Sequence, residues 1–124
     1  IYKDINSSIL ITGLSVKPDE SFIDKVINEN KVNYKINIMH YPDEFDNIKK
    51  YNYDLVLAGH SHNGQIALPV YGAVITPENA KEYYKPYYKI DNTLFYISSG
   101  VGTTKFDYRF LNKPSFNLYR ILKK

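Results

Sequence analysis

Cysteine is absent from this chain of 124 residues, and so are long apolar runs and a strong charge of either sign. The lack of cysteine excludes disulfide bonds and thiolate metal sites. No apolar run approaches the roughly 20 residues that a membrane-spanning helix needs, and no signal-peptide pattern opens the sequence. The formal net charge is only +3, from 16 Lys and Arg against 13 Asp and Glu, so nucleic-acid binding is not expected.

Apolar and aromatic residues are plentiful instead. Hydrophobic residues make up 44% of the chain, and 13 Tyr and 6 Phe are among them. A chain of this length buries roughly two-thirds of the surface that its unfolded form exposes, so we expect one domain over 1–124. The sequence begins at Ile1 rather than Met, which suggests that a longer protein was cut. An upstream anchor would make that protein membrane-associated rather than cytoplasmic, so the localisation stays open.

The first half of the chain alternates between strand and helix patterns. Short apolar runs predict strands at 8–14, 35–39 and 53–58. Apolar residues at helical spacing predict an amphipathic helix over 19–30, and Pro42 opens a second helical stretch. This order of strand, helix, strand, helix and strand is typical of a largely parallel sheet.

After Gly59 the sequence changes to turns and short strands. Strands are predicted at 93–98 and 115–122, with a tight turn at 100–102 between them. The Tyr/Lys-rich stretch 82–89 has no helical period and is predicted to be loop or short strand. The predicted fold is therefore α/β, with a mixed sheet whose later strands are antiparallel.

All three histidines of the chain follow predicted strands. His40 comes directly after one strand, and His60 and His62 stand in the Gly-His-Ser-His segment after the next. Neighbouring parallel strands end at the same edge of a sheet, where open α/β folds bind their ligands. In an extended segment residues i and i+2 project to the same side, about 6–7 Å apart, so His60 and His62 can approach one metal ion. Imidazole suits zinc, iron, manganese or nickel.

Plainer interpretations exist for each of these features. The Gly-His-Ser-His segment can be a polar loop, and His40 a hydrogen-bonded surface residue. The tyrosines of 82–89 can stack on bases beside neighbouring lysines, or can pack their rings on the sheet. The turn at 100–102 can cradle a phosphate through its N–H groups, although no helix pattern follows it, and we interpret it as a tight turn.

Several segments together resemble a known family. The stretch 36–43 reads INIMHYPD, 54–66 reads DLVLAGHSHNGQI, 96–102 reads YISSGVG, and Arg109-Phe110 follows. Over about 8–122 these features resemble the carboxyl-terminal half of calcineurin-like metallophosphoesterases. The likeness is greatest to the bacterial branch with a GH-(S/T)-H-x-GQ segment.

The resemblance implies a two-metal hydrolase of phosphoric monoesters or diesters, on a sandwich of two sheets flanked by helices. By the same resemblance, His40 and His60 bind the second metal and His62 binds the first. The two divalent ions would be manganese, iron, zinc or nickel, and a pair of such ions lowers the pKa of a bridging water. The implied partner is a phosphate-ester substrate.

The family's earlier motifs are missing from this chain. No DxH, GDxxD or GNH occurs between Ile1 and Lys124, so no catalytic residue is certain here. Asp43 and Asp54 are the nearby acids, and neither stands where the family's bridging carboxylate would. We therefore expect this chain to hold one ion at most and to be inactive without a missing amino-terminal segment.

Two other functions remain open, together with one expectation about assembly. The chain can be a non-catalytic binding or interaction module on a degenerate phosphoesterase scaffold. Alternatively, it can be a mononuclear metal protein that uses His40, His60 and His62 with Asp43 or water. Half of a two-sheet sandwich would present an apolar face, so self-association is expected.

Overall fold

A six-stranded mixed sheet forms the centre of the computed structural model, which describes residues 2–4, 7–16, 19–104 and 107–122. The strands are β1 (Tyr2–Asp4), β2 (Ser7–Gly13), β3 (Tyr34–Ile38), β4 (Leu55–Ala58), β5 (Ala67–Leu68), β6 (Gly72–Ala73), β7 (Tyr87–Ile90) and β8 (Thr93–Ile97). Their order in the sheet is β1-β2-β3-β4-β8-β7, and a separate hairpin pairs β5 with β6. β2, β3, β4 and β8 run parallel, whereas β1 and β7 are antiparallel edge strands.

Two helices connect the parallel strands. α1 (Glu20–Glu29) begins at Asp19, whose carboxylate accepts hydrogen bonds from the N–H groups of Ser21 and Phe22 at 3.0 and 3.3 Å. α2 (Phe45–Ile48) is short and is extended at each end by a 3-10 turn, over Pro42–Glu44 and Lys49–Tyr51. Within the described part of the chain, no helix has the length and apolar character that a membrane crossing requires.

The covered face of the sheet packs on the helices and forms the core. Phe95 of β8 is fully buried and stacks on Phe45 of α2, with the ring centroids 4.9 Å apart. Val56 and Ile97 are buried at 0% and 1% exposure beside them. Each such apolar side chain contributes roughly 1.5–3 kcal/mol by leaving water, so this face holds the fold together.

The open face of the sheet has no helix against it among the described residues. Ile11 is 53% exposed and Ile38 is 48% exposed on this side. Residues 115–122 pass over part of it, and the ring of Tyr119 lies 5.2 Å from that of Tyr96. A groove of about 800 Å³ separates this terminal segment from the sheet, and its walls include Leu55, Leu94, Leu118 and Leu122.

The predicted fold class is confirmed, and so are the three early strands and the first helix within a residue or two at their ends. One prediction for the second half is wrong. Residues 115–122 form no strand, because both edges of the neighbouring β8 are already paired, with β4 and β7. The later strands include the predicted antiparallel pairs, β7 with β8 and β5 with β6, while β8 is parallel to β4 on its other side.

Candidate metal centre

The ends of two neighbouring strands bring His40 and His60 together. β3 and β4 are parallel, and their pairing continues past the strands through hydrogen bonds from Met39 N to Leu57 O (2.9 Å) and from Gly59 N to His40 O (3.4 Å). His40, which follows Met39, and His60, which follows Gly59, are therefore side by side. His40 Nε2 lies 3.1 Å from His60 Nδ1, and the ring centroids are 4.8 Å apart.

This separation fits two nitrogens bound to one divalent ion. Imidazole nitrogens lie about 2.0–2.1 Å from zinc, so two of them 3.1 Å apart subtend an angle of roughly 95–100° at the metal. Octahedral coordination has angles of about 90° and tetrahedral coordination about 109°, so the observed spacing is compatible with either geometry. The pair therefore has the donor type and the separation that a divalent cation needs.

A hydrogen bond fixes which nitrogen of His60 faces His40 without a proton. His60 Nε2 lies 2.8 Å from the carbonyl oxygen of Glu78. A carbonyl only accepts, so Nε2 carries the proton and Nδ1, which faces His40, has a bare lone pair. Burial, helped by the nearby His60 and His62, lowers the pKa of His40 below its ordinary value. The lowered pKa favours the neutral form of His40, which is the form that binds metals.

His62 is held by a different set of groups. Its Nδ1 lies 3.1 Å from the carbonyl oxygen of Ser99 and 3.1 Å from Nη2 of Arg109. That Nη2 already donates to Ser99 O at 2.7 Å and to Gly100 O at 3.1 Å, so Nδ1–H of His62 donates to Ser99 and Nε2 stays bare. Burial lowers the pKa of His62, and the Arg109 charge lowers it further against the opposing effect of the Ser99 bond.

The loop that carries His60 and His62 has an unusual backbone. Four of its non-glycine residues lie in the left-handed region: His60 (φ 63°), His62 (φ 47°), Asn63 (φ 50°) and Gln65 (φ 36°). Each such conformation costs roughly 1–2 kcal/mol, and clusters of them are typical of functional sites. The predicted extended segment is wrong here, because left-handed His60 and a left-handed turn over His62–Gly64 interrupt it. His60 and His62 consequently face different partners.

Glycine at position 64 is required by space as well as by backbone angle. Its φ is 78°, and a Cβ placed there would lie 2.8 Å from Cα of Ala73 and would collide with that residue's Cβ. The hairpin of β5 and β6 therefore packs directly on the backbone of the histidine loop. This close approach fixes the path of the loop.

Four residues near the histidines have supporting roles that the sequence alone did not indicate. Gln65 Oε1 accepts from Thr104 N at 2.9 Å, and its Nε2 donates to Tyr108 O at 2.8 Å, which ties the histidine loop to the chain beyond β8. Arg109 Nη2 donates hydrogen bonds to the backbone carbonyl oxygens of Gly100 and Gly102 in the turn at 100–102. Gln65, Arg109 and Tyr41 stand inside the segments of the resemblance, which was the available signal, whereas nothing marked Glu78.

The nearby acids do not face the histidines. Asp43 accepts three backbone N–H groups, from residues 81–83, and Asp54 Oδ2 accepts Lys35 N at 2.7 Å. Among the described residues, no three His, Cys, Asp or Glu side chains converge in a way that would hold an ion. This chain therefore offers imidazole ligands in the described part without a converging carboxylate. Both carboxylate oxygens of Asp43 are occupied, which weakens its proposed role as a fourth ligand.

Comparison with known proteins points to one group of enzymes. Over 88 residues the chain is 38% identical to "Uncharacterized metallophosphoesterase YkuE" of Bacillus subtilis, a match that covers 71% of this chain and 31% of that protein. Over 66 residues it is 30% identical to "Phosphodiesterase YaeI" of Escherichia coli, which covers 53% of this chain and 24% of that protein. Part of this chain is homologous to metallophosphoesterases. The matched regions span less than a third of either relative.

No family model and no solved structure matches the chain. The homology to metallophosphoesterases implies divalent metals in general, without choosing the ion or assigning ligands.

Proposed function

We propose that this chain contributes the imidazole ligands of a two-metal site in a phosphoric ester hydrolase. His40 and His60 would bind one divalent ion, and His62 would bind the other through Nε2. The observation that carries the proposal is the 3.1 Å separation of His40 Nε2 and His60 Nδ1, with the proton of His60 held on the far side of the ring. The partial homology to a metallophosphoesterase and a phosphodiesterase supports the same chemistry.

The residues of this chain would bind the two metal ions and keep the ligand side chains in a fixed orientation. Two divalent ions, once bound, supply an activated water and neutralise charge on the phosphoryl oxygens of the ester. Nε2 of His40 and Nδ1 of His60 face each other at 3.1 Å, where a bound ion would replace the proton between them, and the Glu78 carbonyl prevents the His60 ring from turning. Ser99 and Arg109 do the same for His62. Manganese, iron, zinc and nickel all accept such ligands.

The proposed site is completed by carboxylates from elsewhere in a longer protein. The match spans only 31% of the Bacillus subtilis relative, and the described residues of this chain form no cluster of three His, Cys, Asp or Glu side chains that could hold an ion. A bridging carboxylate normally allows two ions to sit a few Å apart. We therefore propose that the missing segment is a partner of this chain, that the substrate is a phosphate monoester or diester, and that the 124 residues alone are inactive.

Metal titration tests the ligand assignment directly. Calorimetry with zinc or manganese on the wild type, His40→Ala and His60→Ala is expected to show binding that either replacement weakens by at least about tenfold, because each removes a ligand. Glu78→Ala is the matched control, since it removes an exposed side chain but keeps the carbonyl that contacts His60. Equal binding by all four proteins would refute the metal assignment.

Hydrolysis distinguishes the enzyme from the main alternative. The absence of a converging carboxylate in the described residues also favours a non-catalytic binding module on a phosphoesterase scaffold. We expect negligible cleavage of a chromogenic phosphodiester by these 124 residues with manganese. The longer natural protein should cleave it at rates of order 1 per second or more. A longer protein that binds metal but cleaves no ester would favour the module.

A further inference from the structure

Asp43 makes four hydrogen bonds to the segment 78–83. Asp43 Oδ2 accepts Lys81 N at 2.7 Å, and Oδ1 accepts Glu82 N at 3.1 Å and Tyr83 N at 3.0 Å. The backbone N–H of Asp43 donates to Asn79 O at 3.2 Å. One residue therefore holds this segment at four points. Hydrogen bonds to an ionised carboxylate are about twice as strong as neutral ones, so the attachment is firm.

The same segment sets the orientation of His60. The carbonyl that accepts His60 Nε2–H belongs to Glu78, one residue before the Asn79 that Asp43 contacts. Ala80 is fully buried, so the segment is packed against the protein at its middle. On another side of the His60 ring, Tyr41 makes an edge contact with the centroids 4.5 Å apart. The imidazole is thus held between an aromatic ring and a carbonyl.

We propose that Asp43 is a positioning residue for His60. By fixing the segment 78–83 it places the Glu78 carbonyl, which keeps the proton on Nε2 and leaves Nδ1 bare toward His40. The part of this inference that concerns metal affinity rests on the proposed function, whereas the part that concerns the proton does not.

The chemistry of the side chain makes a graded test possible. Three N–H donors need both carboxylate oxygens, and asparagine offers only one oxygen while its NH₂ group would oppose Lys81 N–H. Asp43→Asn should therefore loosen the segment slightly and Asp43→Ala more, although the burial of Ala80 and the packing of Tyr83 on Phe45 remain. Asp54→Ala is the matched control, because Asp54 also accepts a backbone N–H, from Lys35, but precedes β4 whereas His60 follows it.

The first measurement is the tautomer of His60 in the metal-free protein, read from its ring ¹⁵N shifts by NMR at a pH where the ring is neutral. The wild type and Asp54→Ala should show a single form protonated on Nε2. Asp43→Asn should show some of the other tautomer and Asp43→Ala more of it. The second measurement is zinc titration, in which Asp43→Ala should bind about 10–100-fold more weakly, as is usual for loss of a group that orients a ligand.

The outcomes separate this inference from the proposed function. If the wild type binds no zinc but Asp43→Ala still changes the His60 tautomer, the proposed function fails and the positioning role stands. If Asp43→Ala keeps both the tautomer and the zinc affinity, the positioning role is wrong. A change of the same size in Asp54→Ala would also overturn it, because the effect would then be general destabilisation. Asp43→Asn keeps the test valid if Asp43→Ala fails to fold.

Discussion

The two faces of the central sheet are both apolar, but they differ in how much of their surface is buried. On the covered face Val56 and Phe95 have no exposed surface, whereas on the open face Ile11 and Ile38 keep about half of theirs. Parallel strands are normally buried on both sides, which is why their sequences are apolar throughout. The difference shows that this chain supplies the cover for one face, through α1, α2 and the segment after the histidine loop. Among the described residues, the other face is covered only by the irregular segment 115–122.

The largest expected effect of a single substitution lies on the covered face. Phe95→Ala should lower the free energy of unfolding by about 3–5 kcal/mol, because it leaves a cavity beside Phe45 that the packed core cannot close. Ile38→Ala on the open face should cost less than about 1 kcal/mol, since much of that side chain is already in water. Urea denaturation of both variants measures the contrast. Similar losses would mean that the open face is covered in solution.

The sequence predicted the strands and the helix of the first half of the chain better than the segment that passes over the open face. The helical spacing at 19–30 and the apolar runs of β2, β3 and β4 identify elements whose partners are local or next in sequence. The alternating pattern at 115–122 was misleading. Alternation shows which side chains face a surface, but whether a strand forms depends on a free sheet edge, and β8 has none.

Solution assembly probes the open face directly. An apolar sheet face seldom remains uncovered, so we expect the 124-residue chain to self-associate through it. Ile38→Asp places a charge in the centre of that surface and should weaken association by about tenfold or more, since burying an unpaired carboxylate is costly. Sedimentation velocity over a range of concentrations gives the result. Asp24→Asn, a change away from this face on α1, serves as the control.

A strictly monomeric wild type would contradict this expectation and would mean that the segment 115–122 covers the face well enough. Identical association of the wild type and Ile38→Asp would place the contact elsewhere on the molecule.

The candidate site shows a similar division between what the sequence reveals and what only the fold reveals. The positions of His40 and His60 after adjacent strands predicted their proximity, because parallel strands end together. The left-handed residues of the histidine loop were not predictable, since non-glycine residues rarely adopt that conformation. Nor was the role of Glu78, because a backbone carbonyl has no signature in the sequence.

The smallest predicted effect concerns the edge of the covered face, where Tyr83 packs on Phe45 with the ring centroids 5.5 Å apart. Burial, assisted by the hydrogen bond that its hydroxyl donates to Asp46, raises the pKa of Tyr83 to about 12. In the unfolded chain the phenol ionises near its ordinary value of 10.0, so between these values the unfolded state binds fewer protons than the folded state. The stability that Tyr83 contributes is therefore complete below pH 10 and is lost as the pH rises through 12.

Tyr83→Phe should remove this part of the alkaline loss. Its stability should decline less steeply between pH 10 and 12 than that of the wild type, while remaining slightly lower at pH 8 because the bond to Asp46 is gone. Urea midpoints measured across this pH range provide the test. Tyr87→Phe is the control, because Tyr87 is 44% exposed on the edge strand β7. If both variants changed the alkaline slope equally, the effect would reflect the loss of any tyrosine rather than the packing of this ring on the covered face.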